Sequence, residues 1–234
     1  MDYILNIETS TTVCSVSLSN KDKIISFKEI NDGHTHAENL HVFIQDVLKQ
    51  ADIEPKQLKA ISVSKGPGSY TGLRIGVSAA KGLAYALNIP LIAIDTLEIM
   101  TNAVLKTKKV DGFFCPMLDA RRMEVYTAVY DKNLNKLMPV NALVIGENSI
   151  EPLENYGDLY FFGNGMQKCR QILEKISRSE FIENIYPSAQ FMANLSWQKF
   201  SENKFENVAY FEPYYLKEFF TPVKKGDTNL PADR

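Results

Sequence analysis

Glu8, Thr9, Ser10 and Thr11 are the first residues in the chain whose types could do chemistry. They form a polar, hydroxyl-rich turn between two apolar segments. In a phosphate-binding hairpin, hydroxyls and backbone N–H groups face the anion, and a nearby carboxylate can hold a hydrated Mg²⁺ ion. However, the turn has no glycine to let backbone amides approach a phosphate closely. These four residues are therefore candidates for nucleotide binding, and an ordinary structural turn is the alternative.

The glycine-rich segment from Gly66 to Gly72 is a second candidate. A loop of this kind at a helix N-terminus can bind an anion through free N–H groups and the helix dipole. It lacks the Lys-Ser/Thr pair of a Walker A loop, and its glycine spacing differs from a dinucleotide-binding fingerprint. Locally, the sequence favours a tight connection from a strand to a helix, with Thr71 as the predicted N-cap.

Small residues recur every four positions in the helix predicted from about Leu73 to Leu87, at Gly72, Gly76 and Ala80, with Ala79 beside them. Glycine inside a helix costs about 1 kcal/mol relative to alanine. A stripe of small residues commonly lets another backbone come close. The neighbour is either the first helix of the same chain or a helix of another subunit, and we favour the second interpretation.

All three histidines, His34, His36 and His41, fall within eight residues, which raises the question of a metal site. Two ligands on a helix should be three or four residues apart to share a face. His36 and His41 are five apart, which places them about 140° apart around a helix. We therefore predict no metal site and assign these side chains to capping and surface roles.

The charged segment from Asp119 to Tyr126 predicts a hairpin turn, either solvated or holding a buried ion-pair network. No Ser/His/Asp arrangement and no spaced pair of carboxylates can be picked out from spacing. We therefore predict no catalytic residue and no required cofactor, although the first turn is compatible with weak binding of ATP or ADP.

The elements that position these residues are predicted from periodicity. The first thirty residues predict a three-stranded antiparallel meander, and an amphipathic helix follows from about Ala37 to Ala51. Strand, helix, strand and helix then reach a basic connection at Lys106–Lys109. Beyond it we predict strands at 113–118, 123–130, 142–145 and 159–162, and helices at about 166–176 and 189–200. This order predicts an α/β or α+β protein of two lobes.

Length and composition limit the classes of protein further. The 234 residues suit one large domain or two compact ones, and the net charge of −2 argues against a chain that grips nucleic acid alone. A subunit whose partner supplies the basic groove is still allowed. Three scattered cysteines predict no disulfide framework. With no signal-peptide pattern and no apolar run of ~20 residues, we expect a cytoplasmic protein without a membrane partner.

Several segments taken together resemble the TsaB (YeaZ) family, and the resemblance covers about residues 3–217. The long central run Lys65–Gly76 is the most specific match. The other matching segments are Ile4–Ser10, Cys14–Val16, His36–Leu40, Ala80–Ala84, Asp119–Arg121, Gly163–Gly165 and Pro213–Lys217. Proteins of this family are subunits of the bacterial machinery that makes N6-threonylcarbamoyladenosine at position 37 of tRNA.

This resemblance implies an actin-like (ASKHA, ribonuclease H-like) fold of two lobes with mixed β-sheets. We therefore expect an N-terminal lobe at 1–100 that carries the dimerisation helices, a C-terminal lobe at 101–216, and a tail at 217–234.

The resemblance also implies a non-catalytic partner of TsaD, the subunit that transfers threonylcarbamoyl from threonylcarbamoyl-AMP to the adenosine. TsaD holds a metal partly through an H-x-x-x-H pair, which is absent here because residue 40 is leucine. Implied partners are a TsaD-like subunit, a TsaE-like ATPase, a second copy when the chain is alone, and tRNA only through the complex. The expected interface residues on the two helices are Leu40, Phe43, Ile44, Val47, Gly72, Gly76, Ala79, Ala80 and Leu83.

Two other functions are the alternatives. A stand-alone actin-like ATPase or kinase would need a glycine-bearing first phosphate loop and a second acidic phosphate motif, and neither is convincing. A metallopeptidase would need a metal site, and the histidine spacing argues against one.

Overall fold

Two five-stranded sheets form the framework of the computed structural model, which describes residues 1–33, 35–146 and 150–217. The first sheet has the order β3-β2-β1-β4-β5, and the second has the order β10-β9-β6-β7-β8. The first five strands are β1 Tyr3–Glu8, β2 Val13–Asn20, β3 Lys23–Asn31, β4 Leu58–Gly66 and β5 Leu91–Asp95. The second five are β6 Phe113–Asp119, β7 Glu124–Tyr130, β8 Lys136–Val144, β9 Leu159–Phe162 and β10 Ser179–Ile182.

Both sheets have the same connectivity. In the first, β1 pairs antiparallel with β2, β2 pairs antiparallel with β3, and β1, β4 and β5 are parallel. In the second, β6, β7 and β8 are antiparallel, and β6, β9 and β10 are parallel. The duplicated two-lobed architecture expected from the order of elements is therefore confirmed, as is the antiparallel meander at the N-terminus.

Six α-helices occur among the described residues. They are α1 His36–Gln50, α2 Tyr70–Leu87, α3 Thr96–Thr107, α4 Glu151–Glu154, α5 Met166–Leu173 and α6 Ala193–Ser201, and short 3₁₀ turns cover Pro55–Gln57 and Ala189–Phe191. Helices α1 and α2 lie on the face of the first sheet that carries Leu5, Ile7 and Val16. None of the helices within the described ranges is long and apolar enough to cross a bilayer.

Some predicted boundaries were wrong. Ser69, not Thr71, caps α2: its hydroxyl accepts a hydrogen bond from the backbone N–H of Gly72 at 3.2 Å, and its backbone is extended. The strand predicted at 142–145 begins at Lys136, and the last predicted helix divides into a 3₁₀ turn and α6. Helix α4 and strand β10 were not predicted, because four residues are too few for a periodic pattern.

The C-terminal part of the chain returns to the first lobe, which corrects the assignment of 101–216 to a second lobe. Ala189, Met192 and Leu195 pack against Ile4 and Ile92 on the face of the first sheet opposite α1 and α2. The apolar side of α6 thus covers a sheet whose strands all lie between residues 3 and 95. The predicted tail begins at the last described residue, and 218–234 lie outside the described residues.

An ion-pair group joins the lobes. Asp95, the last residue of β5, accepts a hydrogen bond from Lys136 Nζ of β8 at 2.8 Å, and Lys65 Nζ lies 3.8 Å from the same oxygen. The Asp95 side chain is only 10% exposed. Separating the lobes would leave the partly buried Asp95 carboxylate without its partner Lys136, which is costly. This contact therefore helps to fix the lobes relative to each other.

Candidate functional site

The turn after β1 is closed to solvent. Glu8, Thr9 and Ser10 have no exposed surface, and Thr11 is half-buried. Their position between two strands of the first sheet follows from the antiparallel pairing of β1 with β2, in which Glu8 lies opposite Ser15. Three of the four residues predicted to contact a nucleotide therefore cannot reach one in this conformation, which corrects that prediction.

The glycine-rich segment before α2 covers the turn. The backbone N–H of Ser69 donates to the carbonyl of Ser10 at 2.6 Å, and the Thr9 hydroxyl donates to the carbonyl of Gly72 at 2.8 Å. These bonds join residues about sixty positions apart. The segment that resembled an anion-binding loop is thus bonded to the chain's own first turn. It serves as the tight connection from β4 to α2 that the sequence favoured locally.

Glycines are required where the two segments meet. A Cβ atom built on Gly68 would lie 2.2 Å from the carbonyl oxygen of Ser10, and one on Gly72 would lie 2.1 Å from that of Thr9. One on Gly76 would lie 2.1 Å from the Thr9 hydroxyl oxygen. Because real Cβ atoms do not approach this closely, only glycine fits these places.

The small-residue stripe therefore faces inward, contrary to the interpretation that it faces a partner. Gly72 and Gly76 pack on Thr9, and Ala80 is buried in the core of the first lobe. Three expected interface residues of α1 are also buried in that core: Leu40, Ile44 and Val47. For these six residues the interface prediction is corrected, because the lobe itself occupies their contact surface.

The other three expected interface residues reach the surface. Phe43 on α1, and Ala79 and Leu83 on α2, are partly buried against the same core and partly exposed. Two apolar side chains outside the prediction lie on the same helices and are far more exposed: Val42 at 50% and Tyr85 at 82%. The sequence did not reveal their exposure, because the apolar residues of these helices are spread over more than one helix face.

Glu8 is a buried acid. One carboxylate oxygen accepts a hydrogen bond from the backbone N–H of Ser10 at 2.5 Å. Burial raises its pKa to about 7, and interactions with Ser10 and Ser64 only partly oppose that increase. Neither of those hydroxyls is in hydrogen-bond geometry with the second oxygen, Oε2, which has no partner among the described residues. Near neutral pH, therefore, a substantial fraction of Glu8 is protonated.

The histidines do not form a ligand set among the described residues. The Nε2 atom of His36 lies 2.8 Å from the carbonyl oxygen of Thr11, so a protonated Nε2 donates to it, and His41 is exposed. His34 lies outside the described residues. Within the described ranges, no three His, Cys, Asp or Glu side chains come together as metal ligands would.

The hairpin between β6 and β7 carries the charged group expected at Asp119–Tyr126. Lys168 Nζ lies 2.5 Å from an Asp119 carboxylate oxygen, and the backbone N–H of Arg121 donates to the same oxygen at 2.8 Å. Partial burial works against ionisation, but the Lys168 and Arg121 interactions outweigh it and lower the pKa of Asp119. The side chain of Asp119 is 48% exposed, so the group is a solvated network rather than a buried one.

Sequence reasoning missed the aromatic segment that crosses the start of α2. The Tyr215 ring lies 4.9 Å from the Tyr70 ring, and the guanidinium of Arg74 lies 4.3 Å from the Tyr70 ring centre. The backbone N–H of Tyr214 donates to the carbonyl of Lys65 at 2.7 Å. The sequence offered two signals here, the density of aromatic residues between 205 and 215 and the family match at Pro213–Lys217, and neither specified a contact with α2.

Comparisons with known proteins give a matching family model and several named relatives. The family described as TsaD, tRNA N6-adenosine threonylcarbamoyltransferase, matches residues 30–219. A relative from Buchnera aphidicola subsp. Baizongia pistaciae, named "tRNA threonylcarbamoyladenosine biosynthesis protein TsaB", is 31% identical over 92% of this chain and 98% of its own length. The chain belongs to the TsaB family.

Other relatives support this membership. The Bacillus subtilis protein of the same name is 32% identical over 74% of this chain and 76% of its own length. The Escherichia coli protein of the same name is 29% identical over 92% of this chain and 94% of its own length. The solved structure of YeaZ from Pseudomonas aeruginosa has a TM-score of 0.82 at 23% identity and covers 92% of this chain and 100% of that one. That likeness confirms the two-lobed α/β fold.

Proposed function

We propose that this chain is a non-catalytic subunit of a bacterial complex that makes N6-threonylcarbamoyladenosine in tRNA. In this proposal it binds and supports a TsaD-like subunit, which transfers threonylcarbamoyl to the adenosine. A TsaE-like ATPase joins the complex, and the chain forms a homodimer when alone. It requires no cofactor of its own.

The closed first turn is the observation that carries the non-catalytic assignment. In an actin-like enzyme this turn would need free amides and hydroxyls for phosphate. Here Thr9 and Ser10 are fully buried, and α2 begins on top of them. The groups that could have held a nucleotide are used in packing, so a supporting role fits this family member better than turnover does.

The outer surfaces of α1 and α2 are the proposed contact with the TsaD-like partner. Val42 and Tyr85 are exposed, while Phe43, Ala79 and Leu83 of the same two helices are half-buried. Apolar residues held on rigid helices are typical of the centre of a protein interface. The same surface serves the homodimer, so the two assemblies exclude each other.

Val42→Glu is expected to weaken association with the TsaD-like protein at least tenfold and to leave the fold intact. Val42 is half exposed, so the isolated chain tolerates a charge there, whereas burying an unpaired carboxylate in an interface is costly. Sedimentation velocity with the TsaD-like protein of the same organism measures the affinity, and a melting curve verifies folding.

Val144→Glu is the matched control, because Val144 lies on the other lobe and is 61% exposed. It is expected to leave the affinity unchanged. Full affinity in Val42→Glu, or an equal loss in both variants, would place the interface elsewhere.

A further inference from the structure

The tip of the hairpin between β6 and β7 has a costly backbone and an unusual choice of residues. Arg121 and Arg122 both have positive φ values, +69° and +49°. Residues with a Cβ atom are disfavoured in this left-handed region, and tight hairpins that require it usually contain Asn, Asp or Gly. The turn itself therefore does not account for two consecutive arginines.

The charges of Arg121 and Arg122 are also largely unpaired within the part of the chain that the structure describes. Both residues are exposed, and among the described residues neither guanidinium forms an ion pair. Asp119 attracts the charge of Arg121, but its direct contacts are with Lys168 and with the backbone N–H of Arg121. Two adjacent guanidinium groups are thus held at a hairpin tip and directed to solvent.

Further basic and aromatic groups extend this surface. Lys217 contacts the carboxylate of Glu124, and Tyr126 lies within electrostatic range of both Lys217 and Arg121. The segment that ends at Lys217 also carries the aromatic stack on the start of α2 described above. We call these residues the hairpin patch: Arg74, Asp119, Arg121, Arg122, Glu124, Lys168, Glu212, Lys217, Tyr70 and Tyr215.

The charge of the hairpin patch contrasts with that of the whole chain. It holds five basic residues and three acidic ones, a formal excess of two positive charges, in a chain of net charge −2. Arginine binds phosphate with paired hydrogen bonds.

We propose that the hairpin patch contacts the phosphate backbone of tRNA within the assembled complex. This inference rests on the proposed function and adds to it a direct RNA contact by this subunit. Arg121 and Arg122 supply two phosphate contacts, and the TsaD-like partner supplies the rest of the surface, since the chain as a whole has no net positive charge.

The double variant Arg121→Asn/Arg122→Gly tests this proposal, because it suits the turn better while removing both guanidinium groups. We expect an unchanged or higher melting temperature and normal assembly with the TsaD-like protein. Affinity of that complex for tRNA should fall roughly tenfold or more at low salt. The slope of log affinity against log salt should become shallower by about 1.4 to 1.8, since each lost phosphate contact removes about 0.7 to 0.9.

Arg178→Asn is the matched control. Arg178 also has a positive φ, +64°, and is exposed, but it pairs with Asp158 at the opposite end of the second sheet, where β9 and β10 begin. It is expected to leave the salt slope unchanged.

Each result decides a different claim. An unchanged salt slope in an intact complex overturns the RNA contact and leaves the proposed function standing. Lost assembly with the TsaD-like protein shows that an acidic protein surface docks there, and it also overturns the RNA contact. Failure of the unmodified chain to bind the TsaD-like protein overturns the proposed function itself.

Discussion

Gly72→Ala is expected to destabilise the folded chain by about 3 kcal/mol or more, because the added methyl group meets a backbone atom. Its Cβ would lie 2.1 Å from the carbonyl oxygen of Thr9. Neither side can yield easily, since Thr9 is fixed between two strands and its hydroxyl is bonded to the carbonyl of Gly72. In a chain of this size such a loss lowers the melting temperature by roughly 6–12 °C.

Gly82→Ala on the same helix provides the control. Nothing lies within 4 Å of a Cβ atom at Gly82, so alanine there should raise stability by about 0.5–1 kcal/mol through its better helix propensity. Thermal melting of both variants measures the contrast. A Gly72→Ala protein that melts normally but fails to bind its partner would show that the stripe faces outward after all.

A double-mutant cycle locates the contact more closely. At Gly76 the obstacle is the Thr9 hydroxyl rather than backbone. Gly76→Ala should therefore cost clearly less in a Thr9→Ala background than in the unmodified chain. Equal costs in the two backgrounds would mean that Thr9 is not the neighbour.

Glu8→Gln is expected to make stability less dependent on pH, with an effect of about 3 kcal/mol. The pKa of Glu8 in the folded chain is about 7, whereas the ordinary pKa of a glutamate side chain is 4.5. Between these pH values the folded chain holds a proton that the unfolded chain has released, so the free energy of unfolding falls as pH rises. This loss of folding stability is absent below pH ~4.5 and complete above pH ~7. Its size follows from about 1.36 kcal/mol for each unit by which the folded pKa exceeds the unfolded one.

Urea unfolding of both proteins at pH 5 and pH 8 measures this effect. The stability of Glu8→Gln relative to the unmodified chain should rise by about 2.5 kcal/mol over that range, because part of the effect is already present at pH 5. Glu38→Gln, at an exposed position of α1, should show no such change. A difference between Glu8→Gln and the unmodified chain that does not vary with pH would mean that Glu8 is not buried as described.

Local patterns in the sequence were sufficient to predict most of the fold. The meander, α1 and the strand–helix units each have a periodicity that predicted the element found in the structure. The order of these elements predicted the two lobes. The return of α6 to the first sheet was not predictable in this way. The apolar side chains of Met192 and Leu195 predict that they are buried, but the neighbouring sequence does not specify which of the two sheets they cover.

The candidate site was harder to predict because its chemistry depends on burial. Glu8, Thr9 and Ser10 have the residue types of a phosphate loop. The contact of Gly68 and Gly72 with this turn is what shields it from solvent, and the local sequence does not reveal that contact. The interface prediction needed correction at six residues for a related reason. Leu40 and Val47 are apolar because they form the core, and an apolar helix face does not reveal whether its neighbour belongs to the same chain.

Formation of N6-threonylcarbamoyladenosine in a reconstituted reaction tests the central claim most directly. The reaction contains tRNA, threonylcarbamoyl-AMP, and the TsaD-like and TsaE-like proteins of the same organism, with or without this chain. We expect modified tRNA only when the chain is present with the TsaD-like protein, and none from the chain alone. Full modification without the chain, or modification by the chain alone, would contradict its role as a non-catalytic supporting subunit.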